Sequence, residues 1–210
     1  MNDVLVVIPA IKKNAIIPDQ LIKKLNGITL IQRAIDTALR LVDSSKNLLI
    51  LTDSDEIGLI AQRNNVAFKK DSLLSLNSEN LIKEVLYRIK EFQQENIFIY
   101  RANTPLIKHK SLCTAYLRFL ELSDSNVLVS VKEEKRKVFS IDDGKLKDSN
   151  TDNLCEEVNA FYIFKKNIID KQDYNKVPFF ISNENSIEIT DYQNWWVCEK
   201  ILQRKRVVFH

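Results

Sequence analysis

Short runs of valine, isoleucine and leucine recur along the chain with amphipathic helical patterns between them. This is the sequence form of a mainly parallel sheet covered by helices. Residues 4–8 read as a buried strand, and after a long loop Leu30, Ile31, Ala34, Ile35, Ala38, Leu39 and Val42 recur at helical spacing. Residues 48–51 form the next apolar run, ending in Thr52 and Asp53, either of which can cap a helix through Ile57, Ile60 and Ala61. A short strand is expected at 66–68. Leu81, Ile82, Val85, Leu86, Ile89 and Phe92 then make an amphipathic helix, and the strand at 97–100 breaks at Asn103, Thr104 and Pro105. A helix over 111–122 and a strand over 127–131 follow. Residues 132–137 carry charge, and Asp142, Asp143 and Gly144 supply a turn between hairpin strands that project as an insertion. Runs at 160–164 and 186–189 complete the strands, and 195–202 the helices. The pattern predicts a single-domain α/β fold over residues 1–210, with a mostly parallel open sheet of about seven strands and a hairpin arm at 132–150.

Composition narrows the function classes. The 210 residues are 45% hydrophobic, enough for a substantial core, and 31 Lys plus Arg against 28 Asp plus Glu leave a net charge of +3. Without a basic stripe, that balance gives no case for nucleic-acid binding. Cys113, Cys155 and Cys198 are spaced too widely for a zinc site and are too few for a disulfide framework, which fits a reducing compartment. His109 and His210, with no third histidine, give no support to a zinc site or a nucleophilic triad. No apolar stretch reaches the roughly 18 residues that a membrane helix needs, and no basic leader precedes the first strand. The expectation is a soluble, cytoplasmic protein.

Four blocks at the strand ends carry a family resemblance. They are Ile8-Pro9-Ala10 with Pro18 and Leu25-Asn26-Gly27; Thr52-Asp53 with Glu56-Ile57; Thr104-Pro105-Leu106; and Ser186-Ile187-Glu188-Ile189 ahead of Trp195. In order and spacing the chain resembles the acylneuraminate cytidylyltransferases, which make CMP-activated acidic sugars such as CMP-sialic acid. Pyrophosphorylases for Kdo and methylerythritol phosphate share the architecture. The resemblance implies CTP and a sugar as ligands, attack of a sugar hydroxyl on the α-phosphate with loss of pyrophosphate, a magnesium ion, and a homodimer that uses the 132–150 hairpin as its arm. It places Pro9, Ala10, Lys12, Lys13, Asn14, Lys23, Asn26, Asp53, Asn103 and Thr104 at the nucleotide, Arg101, Asn159 and Tyr162 at the sugar, and Glu188 at the metal.

The chain departs from the family where the chemistry is concentrated. Where the family reads Arg-Gly-Gly-Ser-Lys-Gly-Ile, this sequence has Ile11-Lys12-Lys13-Asn14-Ala15-Ile16-Ile17, and none of its three glycines, Gly27, Gly58 and Gly144, lies there. Glycine lets backbone amides approach a phosphate without a Cβ in the way. The basic stretch after the second proline is replaced by Asp19-Gln20-Leu21, Arg101 and Ile107 stand where polar and basic groups are usual, and Asp-Ile-Asp becomes Glu188-Ile189-Thr190. Asp191 can replace the missing carboxylate only if the backbone turns.

Each candidate also has a plain structural reading. Lys12, Lys13 and Asn14 can form a solvated loop, Asp53 an N-cap, Asn103 and Thr104 the turn before Pro105, and Glu188 an ordinary strand carboxylate. The charged 132–137 run suits either an acidic ligand or a dimer interface. Two functions therefore stand side by side: a CTP-dependent cytidylyltransferase with a modified phosphate loop, and a relative that keeps the fold as a nucleotide-binding or assembly subunit.

Overall fold

The computed structural model describes residues 1, 3–74, 80–122, 126–134, 139–143, 145–148, 154–170 and 174–207. The parts of the expected charged run at 135–137, Gly144 and His210 lie outside these residues. The elements follow in the order β1 (Val4–Ala10), β2 (Lys24–Leu25), β3 (Ile28–Thr29), α1 (Leu30–Leu39), β4 (Leu48–Thr52), α2 (Asp55–Arg63), β5 (Ala67–Lys70), α3 (Leu81–Arg88) and β6 (Asn96–Tyr100). They continue with α4 (His109–Leu120), β7 (Asn126–Glu133), β8 (Phe139–Asp142), β9 (Lys145–Asp148), β10 (Cys155–Lys165), β11 (Asn175–Phe180) and α5 (Tyr192–Val207).

Seven strands form one sheet in the order β11-β7-β10-β6-β1-β4-β5, and only β10 runs against the others. β1, β4 and β6 are buried along their whole length, because a parallel sheet covered on both faces leaves no strand position to solvent. Alternation along β1 sends Val4, Val6 and Ile8 into a core with α1, α2, α4 and Cys198 of α5, and sends Leu5 and Val7 into a second core with α3. Helix α1 starts where the sequence gives a start signal: the Thr29 hydroxyl accepts the Gln32 N–H at 3.2 Å, and Leu30, Ile31, Ala34, Ile35 and Ala38 are buried. β8 and β9 pair antiparallel as a separate two-stranded sheet within the expected 132–150 insertion. Among the described residues no helix is long and apolar enough to cross a membrane.

Three expectations need correction. Residues 186–189 are not a strand, since they join no ladder: Ser186 ends a turn, and 187–189 form an irregular segment held by backbone and side-chain bonds. The outer strand is instead β11, parallel to β7, and Pro178 within it fits an edge position because proline cannot donate to a ladder on both sides. The N-cap of α2 is Ser54, which makes no side-chain cap bond; the Thr52 hydroxyl accepts the Ser54 N–H instead, at 3.2 Å.

β10 contains a register shift between Glu157 and Tyr162 opposite β7. A bulge leaves backbone groups without ladder partners, and here the buried Ser130 hydroxyl takes them. It donates to the Val158 carbonyl and accepts the N–H groups of Ala160 and Phe161 at 3.3 and 3.2 Å. Ser130→Ala should therefore lower unfolding stability by about 1–3 kcal/mol, the cost of stranding buried polar groups, as measured by denaturant midpoint at unchanged slope. A change within error of zero would show that the bulge is satisfied without the hydroxyl.

Candidate functional site

β1 pairs with β4 on one side and β6 on the other, so the chain builds the sheet outward in both directions from β1. In an open α/β sheet, the crevice outside the carboxyl ends of the strands at such a reversal is where ligands bind. A cavity of about 310 Å³ lies there. Its walls include Pro9 near the end of β1, Lys13 and Asn14 after it, Arg101 and Asn103 after β6, and Thr190 before α5.

The first loop closes on itself. The Asn14 carboxamide oxygen accepts the N–H groups of Ile16 and Ile17, both at 2.9 Å, and its nitrogen donates to Gln20 Oε1 at 2.9 Å. Two amides that a glycine-rich loop would offer to phosphate are thus already bonded. Lys12 points to the neighbouring strand end: its N–H donates to Asp53 Oδ1 at 2.7 Å, and its ammonium lies 2.8 Å from Glu56 and 3.6 Å from Asp19. The hydrogen bond to Glu56 raises the Lys12 pKa above its ordinary value, with smaller contributions from the charges of Asp19 and Glu56, so the group stays charged and already has counter-ions. Lys13 is exposed and has no partner among the described residues.

The far wall is built on the backbone of Ile189. Its N–H donates to the Asn103 carbonyl at 2.8 Å, and its carbonyl accepts from Gln20 Nε2 at 2.6 Å. Gln20 is buried, and nothing in the sequence marked it beyond its place after Pro18. The Asn103 amide nitrogen donates to Glu188 Oε1 at 2.7 Å, while its buried Oδ1 has no partner. The guanidinium of Arg101 makes no hydrogen bond to a described residue and no ion pair within 4.0 Å. Desolvation lowers the Arg101 pKa, against the opposing influence of Glu188. A guanidinium does not give up its proton in a protein, so Arg101 brings a fixed positive charge to the cavity wall.

A second, open cleft of about 640 Å³ adjoins the first and shares Thr190 with it. Glu133, Glu134, Glu156, Glu157 and Glu188 are on its walls with Lys132. Lys132 pairs with Glu156 at 2.9 Å and Lys176 with Glu157 at 2.7 Å. Asn159 and Tyr162 belong to the β10 bulge: the Tyr162 hydroxyl lies 2.9 Å from Glu157 Oε1 and 2.7 Å from Asn159 Oδ1, and burial, followed by the Glu157 charge, raises its pKa.

Of the other sequence candidates, Ala10 is buried at the end of β1 and Thr104 is buried with its hydroxyl on the Arg101 carbonyl at 2.8 Å. Lys23 stands 5.6 Å from the ring centre of Tyr192, and Asn26 takes a left-handed φ of 50° beside Gly27 at the β2–β3 turn, both outside the cavity lining. Asp191 does not turn toward Glu188. Its Oδ1 accepts the Asn194 N–H at 2.8 Å at the start of α5, and Thr190 Oγ1 accepts from Asn194 Nδ2 at 3.1 Å. Among the described residues no group of three His, Cys, Asp or Glu can hold a metal ion. A single carboxylate already bonded to the Asn103 amide does not by itself make a magnesium site, which one or two carboxylates complete only together with substrate phosphates.

The fold is that of known cytidylyltransferases. The chain is similar to CMP:2-keto-3-deoxy-manno-octonic acid synthetase complexed with CTP, with TM-score 0.76 and 10% identity over 97% of this chain and 100% of that one. It is also similar to 4-diphosphocytidyl-2C-methyl-D-erythritol synthase from Anaerococcus prevotii, with TM-score 0.72 and 14% identity over 96% and 99% of the two chains. A cytidylyltransferase from Leptospira borgpetersenii gives TM-score 0.66 and 15% identity over 95% and 86%. No family model and no curated protein matches the sequence.

Removing the Asn14 carboxamide should open the first loop. For Asn14→Ala, amide exchange at Ile16 and Ile17 should quicken and stability fall by about 1–2 kcal/mol. Unchanged exchange at both amides would mean that Asn14 does not hold the loop.

Proposed function

We propose that the chain is a nucleotidyltransferase that transfers CMP from CTP to a sugar hydroxyl and releases pyrophosphate. The observation that carries this reading is the crevice at the reversal of strand order, where Arg101 and Lys13 make no ion pair with a described residue, in a fold shared with proteins that handle cytidine nucleotides. Asn103, with an unpartnered buried acceptor, suits a donor group of the nucleotide. The adjoining cleft is the place for the acceptor sugar. Its carboxylates favour a neutral or amino-bearing acceptor over the acidic sugars of the acylneuraminate cytidylyltransferases. Magnesium enters this reading as the counter-ion of CTP. The β8–β9 hairpin is the arm of a homodimer, and the protein works in the cytoplasm.

One observation favours a second reading. Because Asn14 consumes the amides of Ile16 and Ile17, the loop offers fewer donors to a triphosphate, which suits a subunit that binds a nucleotide without transferring it. Incubation with CTP, magnesium and a panel of acidic, neutral and amino sugars should release pyrophosphate for at least one acceptor. Silence across the panel beside an active control enzyme, with CTP still bound in calorimetry, would replace the first reading with the second. Absence of all nucleotide binding would overturn both.

A further inference from the structure

Within the crevice, the cations and carboxylates are distributed unevenly. Lys12 is neutralised by Glu56 and Asp19, whereas Arg101 and Lys13, on the cavity wall, form no ion pair with a described residue. Glu188 is the carboxylate that bears on Arg101 electrostatically, yet it forms no ion pair with it. Its Oε1 is instead taken by the Asn103 amide at 2.7 Å, and the backbone of Asn103 is itself tied to Ile189. An arginine next to a free carboxylate closes a charge-assisted, often bidentate pair, which would use up the donors it could give to a ligand. The neutral Asn103 amide thus holds one oxygen of the carboxylate that acts on the guanidinium.

We infer that Arg101 is a phosphate-class oxyanion site and that Asn103 is its positioning residue, holding the Glu188 carboxylate away so that the guanidinium stays free. A phosphoryl or pyrophosphate group suits two unpaired cations better than a singly charged carboxylate does, and the planar fork of Arg101 presents parallel N–H groups to two oxygens. The site moves the anion contact from the self-bonded first loop to the exit of β6. This inference rests on the crevice being the nucleotide site, but it concerns oxyanion binding and not transfer.

Calorimetry with inorganic pyrophosphate on the full chain tests it, with cytidine as the uncharged control. The wild type should bind pyrophosphate, and Arg101→Gln should lose about tenfold or more of that affinity, the usual scale for a charge-assisted contact. Asn103→Ala should also weaken binding, although it removes no charge, and Asn103→Ala/Glu188→Gln should recover it to within about threefold, since no carboxylate then competes. Glu188→Gln alone should bind at least as well as wild type. Thermal melts should show that Arg101→Gln is folded, with its apo midpoint no lower than wild type because a desolvated cation has been removed. Wild-type protein that binds no pyrophosphate, or Arg101→Gln that binds it undiminished, would overturn the site. A double variant as weak as Asn103→Ala would overturn the role of Asn103, leaving that residue merely structural. If the pyrophosphate pattern holds while no acceptor releases pyrophosphate from CTP, the transfer reading fails and this one stands. Transfer that is indifferent to Arg101→Gln, with pyrophosphate binding also unchanged, would sink this one alone.

Discussion

The backbone of Ile189 is gripped from both sides, and the crevice depends on that grip. An irregular segment outside any ladder must find partners for its buried N–H and C=O groups or forfeit their solvation. Here the N–H goes to the Asn103 carbonyl at the exit of β6, and the carbonyl takes the Gln20 side chain from the turn after the first loop. Gln20 also bonds Asn14, and Asn14 bonds the amides of its own loop. Three regions remote in sequence thus form one hydrogen-bonded frame, and the cavity is the space it encloses.

Electrostatics within that frame separates two kinds of cation. Lys12 is half-buried and already has carboxylates around it, so its contribution to a ligand is small and screened. Arg101 is partly buried and has no ion-pair partner among the described residues, so its charge is less screened than that of Lys12. The loop that would ordinarily supply donors has instead become a self-contained structural piece, anchored by the fully buried Ile17. Binding energy in such a site would come from fewer groups, each in a drier place.

Much of the architecture is legible in the chain. The apolar runs that became β1, β4 and β6 and the Thr29-to-Gln32 start of α1 follow from local pattern alone. What local pattern missed depended on distant partners. The Ile-Glu-Ile alternation at 187–189 looks like a strand, but no neighbouring strand runs beside it, and its bonds come from residues 85 and 169 positions away. β11 was hidden by Pro178 and by the exposed residues around it. In the site, the sequence reading assigned Lys13, Asn14 and Asn103 to a nucleotide and Arg101 to a sugar, whereas all four line one cavity; nor could it foresee that Asn14 would spend its carboxamide on the loop or that Lys12 would meet Glu56. Those outcomes turn on side-chain direction, which the order of residues does not encode.

The placement of Pro178 has a consequence for how copies of this chain can meet. A sheet grows by adding a strand to an open edge, and a proline there interrupts the row of donors that a newcomer would need. The opposite edge, β5, spans only Ala67–Lys70, and two of its four residues are lysines tied to Glu91 and Asp55. Neither margin is a good template, so runaway edge-to-edge stacking is disfavoured at both ends. Contact between copies would have to use a surface other than an open margin of the sheet.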